Sequence, residues 1–302
     1  MPTAHLDELE LEYQTYGAPQ DTPLLLVHGL GVQLTNWSEA FIRALTDRGF
    51  FVIVYDNRDV GLSTTFDGWG PADIPAAFRQ ARARQPVAAP YTLEDMADDG
   101  IRLLDVIGVD RAHVLGLSNG GAIAQLMAIR HPERVASLVS MMATSGRRGL
   151  PRPTREADTW LAQPRNPEGT RDGAIRDALT AARLLGSPGY PGDEQAIRDA
   201  AGRDYDRAFN PQGNVRHLLA SLASGDARAA KLADIRAPTL VIHGAEDPLV
   251  PVACGEDVRN SIPGAKMLVI PGMAHDLPEA LVPQIADAIA GNARRDQEGA
   301  DA

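Results

Sequence analysis

The chain has 302 residues, 44% of them apolar, with a single cysteine and a formal net charge of −11. That length allows a large buried core without disulfides or a metal staple, and Cys254 alone excludes an intramolecular disulfide and a cysteine-built metal cage. The acidic balance, with no basic run, argues against a nucleic-acid partner, and no apolar run approaches the length of a bilayer span.

Residues 1–8 lack the basic start and apolar centre of a signal peptide, so a cytoplasmic location is expected. Residues 9–16 alternate polar and apolar side chains and read as an exposed opening strand with an antiparallel neighbour. A short apolar run at residues 23–27 predicts a buried strand, and residues 37–48 carry the periodicity of an amphipathic helix. Asn36-Trp37-Ser38 matches a glycosylation acceptor, a reading that needs secretion and is set aside. The next buried strand is predicted at residues 50–54, followed by a turn over residues 56–64 in which Asp56 and Arg58 are expected to form a bracing ion pair. Residues 66–90 form an irregular insertion placed at the border of a cleft, and residues 93–107 a helix. A strand at 113–115 leads into a helix at 120–130 that Pro132 helps to stop, and a further strand falls at 135–139.

From about residue 147 to 230 no strong strand pattern occurs. Prolines and glycines punctuate amphipathic stretches such as residues 174–185, which predicts a helical insertion. Strands return at 239–242 and 266–270, and the polar ending, residues 292–302, is expected to fray. Apolar runs alternating with helical patterns imply an α/β fold with parallel strands, helical crossovers and both sheet faces covered. The expected division is a core of residues 1–146 and 231–302 and a helical cap of residues 147–230.

Gly116-Leu117-Ser118-Asn119-Gly120 sets a serine between glycines, directly after a strand and before a helix. Such a turn holds a nucleophile out of the sheet edge. Serine hydroxyl is a weak nucleophile, so it needs a base within hydrogen-bond reach and a third group to orient that base. Asp247 lies in the loop after the strand at 239–242, and His275 in the loop after the strand at 266–270. In a parallel sheet both loops reach the carboxyl edge that carries Ser118. Glu246 and Asp276 are neighbouring carboxylates, but the strand-end position selects Asp247, leaving Asp276 as a loop-stabilising group. His28 reads as a structural residue, and His113 and His243 are assigned to hydrogen-bonded packing. Cys254 is expected to pack.

The order Ser118, Asp247, His275, together with His28-Gly29-Leu30-Gly31 after the strand at 23–27, resembles the α/β-hydrolase fold superfamily over nearly all of the chain outside the cap. The turn Asp56-Asn57-Arg58-Asp59-Val60-Gly61-Leu62-Ser63-Thr64 and the Gly116-Leu117-Ser118 elbow most resemble esterases of the aclacinomycin methylesterase-like group. The resemblance implies a mostly parallel eight-stranded sheet flanked by helices, and a cofactor-independent carboxylic-ester hydrolase with no metal. It implies Ser118 as nucleophile, His275 as base, Asp247 as orienter, and the backbone N–H groups of Leu30 and Asn119 as the oxyanion hole. Trp37, Met142 and Met273 are placed as pocket-lining residues, with core packing an equal explanation for apolar side chains. A serine at the elbow argues against haloalkane dehalogenase and epoxide hydrolase activity, whose relatives use a carboxylate there.

The expected partner is a small-molecule ester, with a homodimer left open as an assembly. Lactonase, perhydrolase or haloperoxidase, and aminopeptidase activities would use the same triad. An aminopeptidase would also need acidic residues facing inward from the region of Asp193, Glu194, Asp199, Asp204 and Asp206. From a different class, a ligand-binding receptor or scaffold would retain the fold without the chemistry.

Overall fold

The structure, a computed structural model, describes residues 2–70, 72–163 and 165–300. It begins with a hairpin, β1 (Thr3–Leu6) and β2 (Leu9–Tyr16), and continues through β3 (Thr22–Val27), α1 (Glu39–Thr46), β4 (Phe50–Tyr55), α2 (Ile74–Arg82), α3 (Leu93–Val106), β5 (Ala112–Leu117), α4 (Asn119–Arg130) and β6 (Val135–Met141). Five helices follow before the next strand: α5 (Arg155–Ala162), α6 (Arg171–Leu185), α7 (Glu194–Arg207), α8 (Pro211–Ser224) and α9 (Ala227–Lys231). The chain then runs through β7 (Thr239–Gly244), α10 (Val252–Ser261), β8 (Lys266–Ile270) and α11 (Val282–Ala300).

The strands form one eight-stranded sheet in the order β1-β2-β4-β3-β5-β6-β7-β8. The β1–β2 and β2–β4 pairs are antiparallel and all later pairs are parallel. Side chains alternate between faces along each strand, and here both faces are apolar. Leu25, Val27, Ile53, Tyr55 and Val114 point to the side packed by α3 and α4, where Leu104, Ile123 and Met127 complete a cluster. Leu24, Leu26, Val52, Val54 and Leu115 point to the other side, against Phe41 and Leu45 of α1 and Ile285 and Ile289 of α11. Each fully buried side chain of this size stabilises the fold by about 1.5–3 kcal/mol. The central strands are apolar throughout because neither face meets water. Local signals start the helices: Ser38 accepts from Phe41 N at the head of α1, and Thr92 with Asp95 forms a capping box on α3.

The expected α/β class with a mostly parallel sheet is what the chain adopts, with departures at both ends. The strand at residues 9–16 is not the opening one. β1 precedes it through a tight turn in which Asp7 has φ +42°, and only a residue that tolerates positive φ suits such a two-residue hairpin. The polar-out alternation also breaks at Glu12, which is buried and accepts a hydrogen bond from Thr3 Oγ1. At the other end, residues 292–300 continue α11 rather than fray: Asn292 is buried and its Nδ2 donates to Leu138 O and Pro238 O. Asp301 and Ala302 lie outside the described residues. Among the described residues no helix is long and apolar enough to cross a membrane.

The helical segment between β6 and β7 is fastened to the sheet by buried ion pairs. Asp56 and Arg58 do not brace one another as expected. Arg58 forms a two-point pair with Asp99 of α3, at 2.6 and 2.7 Å, and its guanidinium lies over the Tyr91 ring. Asp56 pairs with Arg207 of α7 at 2.7 Å and accepts from the Leu34 and Leu62 N–H groups. Asp59, 1% exposed, pairs with Arg216 of α8 through both carboxylate oxygens and accepts from Tyr91 Oη. Burial pushes the Asp59 carboxyl up, but Arg216, Tyr91 and the Phe66 N–H outweigh it and hold it below the usual carboxylate range. Its stabilisation is therefore present above the unfolded-chain value and is lost as pH falls through the lower folded value.

Removing one partner of such a pair leaves an uncompensated buried charge. Arg216→Met is expected to lower the unfolding free energy by about 3–5 kcal/mol in urea titrations at neutral pH. The double change Arg216→Met with Asp59→Asn should recover part of that loss. A shift below about 1 kcal/mol for the single variant would contradict this role for the pair.

Candidate active site

The carboxyl ends of β5, β7 and β8 bring three distant residues together. Ser118 sits on the turn from β5 to α4 with φ +57° and ψ −120°, a backbone region that an L residue occupies only under constraint. The constraint is visible in the flanking glycines. A Cβ on Gly116 would lie 2.0 Å from Gly120 O, and one on Gly120 would lie 2.1 Å from Val27 O, so only glycine lets the helix start this close to the sheet. The Ser118 N–H donates to Met141 O of the neighbouring strand, which ties the turn to the sheet.

Ser118 Oγ lies 3.0 Å from His275 Nε2, and His275 Nδ1 lies 2.7 Å from Asp247 Oδ2. Asp247 is buried, and its other oxygen accepts from Leu249 N at 2.9 Å and Val250 N at 2.8 Å. With Oδ1 committed to two backbone donors, Oδ2 is aimed at the imidazole. The acceptor role of Oδ2 places the imidazole proton on Nδ1, so Nε2 presents its lone pair to the serine hydroxyl. A hydroxyl held against a neutral imidazole that is itself oriented by a carboxylate can transfer its proton as it attacks an electrophilic carbon.

Asn119 follows this serine in the chain, and Gly29, the residue before Leu30, lies against it: a Cβ on Gly29 would sit 3.4 Å from Ser118 Cβ. Among the described residues, neither the Leu30 nor the Asn119 backbone N–H makes a hydrogen bond within the protein. The loop before Leu30 is shaped by His28, whose Nδ1 accepts from Gly29 N at 2.8 Å. Burial lowers the His28 pKa to about 3, so the ring is neutral and structural. The loop after Leu30 is held from α8: the Gly31 N–H donates to His217 Nδ1 at 3.1 Å, and His217 Nε2 lies 2.7 Å from Arg58 O. Trp37, Met142 and Met273 are all buried, at 5%, 0% and 0% exposure, in the apolar cluster on the α1–α11 side of the sheet, with Trp37 stacked on Phe41. His113 bonds Ser137 Oγ, and Cys254 is buried and free.

Asp276 stays out of the row. It accepts from the N–H and Oγ of Ser187 in the loop after α6, and burial pushes its carboxyl up against those hydrogen bonds. The His275 N–H donates to Leu185 O, and Gly189 N donates to Gly272 O. The loop carrying His275 is thus clasped by the segment between α6 and α7. Sequence reasoning missed Ser187 and His217, because a serine in a glycine-rich loop and a histidine inside an amphipathic helix carry no local mark of a partner 89 or 186 residues away. His243, assigned to packing, is fully buried with Nε2 at 2.7 Å from Val250 O and 3.5 Å from Asp247 Oδ2, where it steadies the Asp247 loop.

The open α/β sheet thus carries a serine on a strand-to-helix elbow, with a histidine and an aspartate from later loops in line beside it. The chain belongs to the α/β-hydrolase fold family, whose model matches residues 22–279. It is 30% identical to rhodomycin D methylesterase DauP of Streptomyces sp. strain C5, over 97% of this chain and 99% of the relative. It is also 30% identical to 3-oxoadipate enol-lactonase 2 of Acinetobacter baylyi, over 85% of each chain. Among solved structures, a hydrolase from Pseudomonas aeruginosa PA01 is similar with a TM-score of 0.67 and 27% identity, covering 97% of this chain and 96% of that one.

Proposed function

We propose that the protein is a serine carboxylic-ester hydrolase working through an acyl-enzyme intermediate. The observation that carries this reading is the continuous row from Ser118 Oγ through His275 to Asp247, at 3.0 and 2.7 Å. Ser118 Oγ attacks the ester carbonyl carbon while its proton passes to His275 Nε2, and the carbonyl oxygen becomes an oxyanion. The Leu30 and Asn119 N–H groups donate to that oxyanion. Such donors are each worth about 10²–10³ in rate. Collapse of the intermediate breaks the bond to the alcohol, which leaves with the proton from His275. Water then gives a proton to His275 and attacks the acyl carbon, releasing the acid and restoring Ser118. Residues 147–230 act as the cap over this site, and the substrate is a small-molecule ester.

Lactones fit the same steps with the leaving alcohol still tethered, and the similarity to an enol-lactonase makes them the second reading. An aminopeptidase is disfavoured by the acidic residues of α7. Asp204 accepts from Thr35 and Asn36, Asp206 pairs with Arg171, Glu194 with Arg198, Asp199 accepts from Gln195 Nε2, and Asp193 caps its own helix. None of these carboxylates is left for a substrate amine. The test is reaction with an active-site phosphonate followed by peptide mass mapping. A single adduct on Ser118, with parallel loss of activity toward a panel of methyl and aryl esters, is the expected result. Labelling elsewhere, with ester turnover surviving, overturns the proposal.

A further inference from the structure

A groove of about 750 Å³ runs between α2, the end of α8 and the segment after β6. Four arginines line it: Arg82, Arg84, Arg148 and Arg152. Arg148 pairs with Asp226 at 2.7 Å, and Asp226 is the sole carboxylate among the lining residues. Arg82, Arg84 and Arg152 form no ion pair among the described residues. Such a concentration of positive charge stands out in a chain with a net charge of −11. Charge of one sign gathered in a concave surface raises the local concentration of the opposite ion.

A second, independent observation lies behind the groove wall. Arg228, at the start of α9, is only 4% exposed, and its guanidinium bonds neutral oxygens: Nε to Gln125 Oε1 at 2.9 Å and Nη2 to Thr144 O. Burial holds its pKa down to about 10, which still leaves it charged at neutral pH. The charge of Glu94 acts on it from nearby and partly offsets that burial, but among the described residues no carboxylate oxygen bonds the guanidinium directly. Gly146 forms the wall at this point: a Cβ there would sit 3.1 Å from Arg228 Nη2, so the glycine brings the guanidinium up to the groove. The groove also adjoins the catalytic row. Its lining residue Ser221 has Oγ 2.7 Å from Asn119 Oδ1, next to Ser118.

We propose that this groove binds the anionic end of the substrate, so that the preferred esters carry a carboxylate at the end remote from the scissile carbonyl. The assignment rests on Ser118 being the nucleophile. Carboxylate and guanidinium match in geometry as well as charge, and Phe78, Val87 and Leu222 offer apolar surface to a connecting hydrocarbon chain. The exposed arginines draw the anion in, and Arg228 supplies the fixed charge behind Gly146.

The test compares the 4-nitrophenyl monoester of nonanedioic acid with its neutral N-methylamide counterpart of equal length. At low salt the wild type is expected to prefer the anionic ester by at least about tenfold in kcat/KM. The preference should collapse toward unity in the Arg82→Gln, Arg152→Gln double variant and in high salt. Calorimetric titration of the wild type with nonanedioate, which needs no turnover, should give a Kd at least about tenfold weaker in the double variant. Hydrolysis of both esters at equal efficiency by the wild type overturns the proposal. Equal binding of inorganic phosphate, with no kinetic preference for the anionic ester, overturns it in favour of a free-anion site. If Ser118 resists the phosphonate, the esterase reading fails by itself. The nonanedioate titration still decides the groove, since arginine-dependent binding supports it and absence of such binding overturns it.

Discussion

Ser118→Ala is expected to lower kcat toward the best ester substrate by about 10⁵- to 10⁶-fold, because in the proposed mechanism the serine, histidine and aspartate act as a unit and loss of the attacking atom removes the route entirely. The residual rate would come from binding and the oxyanion donors alone. Folding should be nearly untouched. Alanine keeps the Cβ at φ +57°, so the backbone strain is not made worse, and among the described residues the Oγ hydrogen-bonds His275 alone. Thermal melts should therefore agree with the wild type while turnover disappears. A variant retaining more than about 1% of wild-type kcat would remove Ser118 from the mechanism.

Asp247→Asn is expected to cost about 10⁴-fold in kcat with the fold intact, and the structure gives the reason. Leu249 N and Val250 N both donate to Oδ1, so the amide oxygen of an asparagine is held on that side. Its NH₂ group is left facing His275 Nδ1, where the native carboxylate accepts. The imidazole then accepts at Nδ1 and carries its proton on Nε2, the wrong tautomer to take a proton from Ser118. Asp276→Asn is the control. Asp276 bonds Ser187 rather than the imidazole, so its loss should change kcat less than about tenfold and register mainly in stability. Equal kinetic losses for the two variants would contradict the assignment of Asp247 as the orienting acid.

The strands of the parallel region were legible because each is a short apolar run buried on both faces, and Thr239–Gly244 and Lys266–Ile270 fall within a residue or two of their predicted limits. β1 was not legible. Its four residues show two buried positions, Ala4 and Leu6, too few to establish an alternation without the hairpin turn that pairs them. The ion pairs of Asp56 and Arg58 were misread for a related reason. Oppositely charged residues close in sequence suggest each other, yet in the folded chain each finds a better-aligned partner, in Arg207 and Asp99. The same holds for the arginine groove, whose members are spread from α2 to the segment ahead of α5 and follow no sequence period.

What the sequence determined by itself was the fold class and which three side chains are proposed for the chemistry. A glycine-flanked serine on a strand-to-helix turn is a local event, and the places of Asp247 and His275 follow from strands whose direction is set by helical crossovers. What only the tertiary structure decided was how those groups are held and what surrounds them: the Ser187–Asp276 clasp, the His217 support beneath Gly31, and the cationic groove beside Asn119. Each of these joins side chains from the helical segment between β6 and β7 to loops of the sheet. Local backbone preference fixes a turn from a few neighbouring residues, whereas a hydrogen bond or a charged surface depends on distances that exist only once the helices have packed.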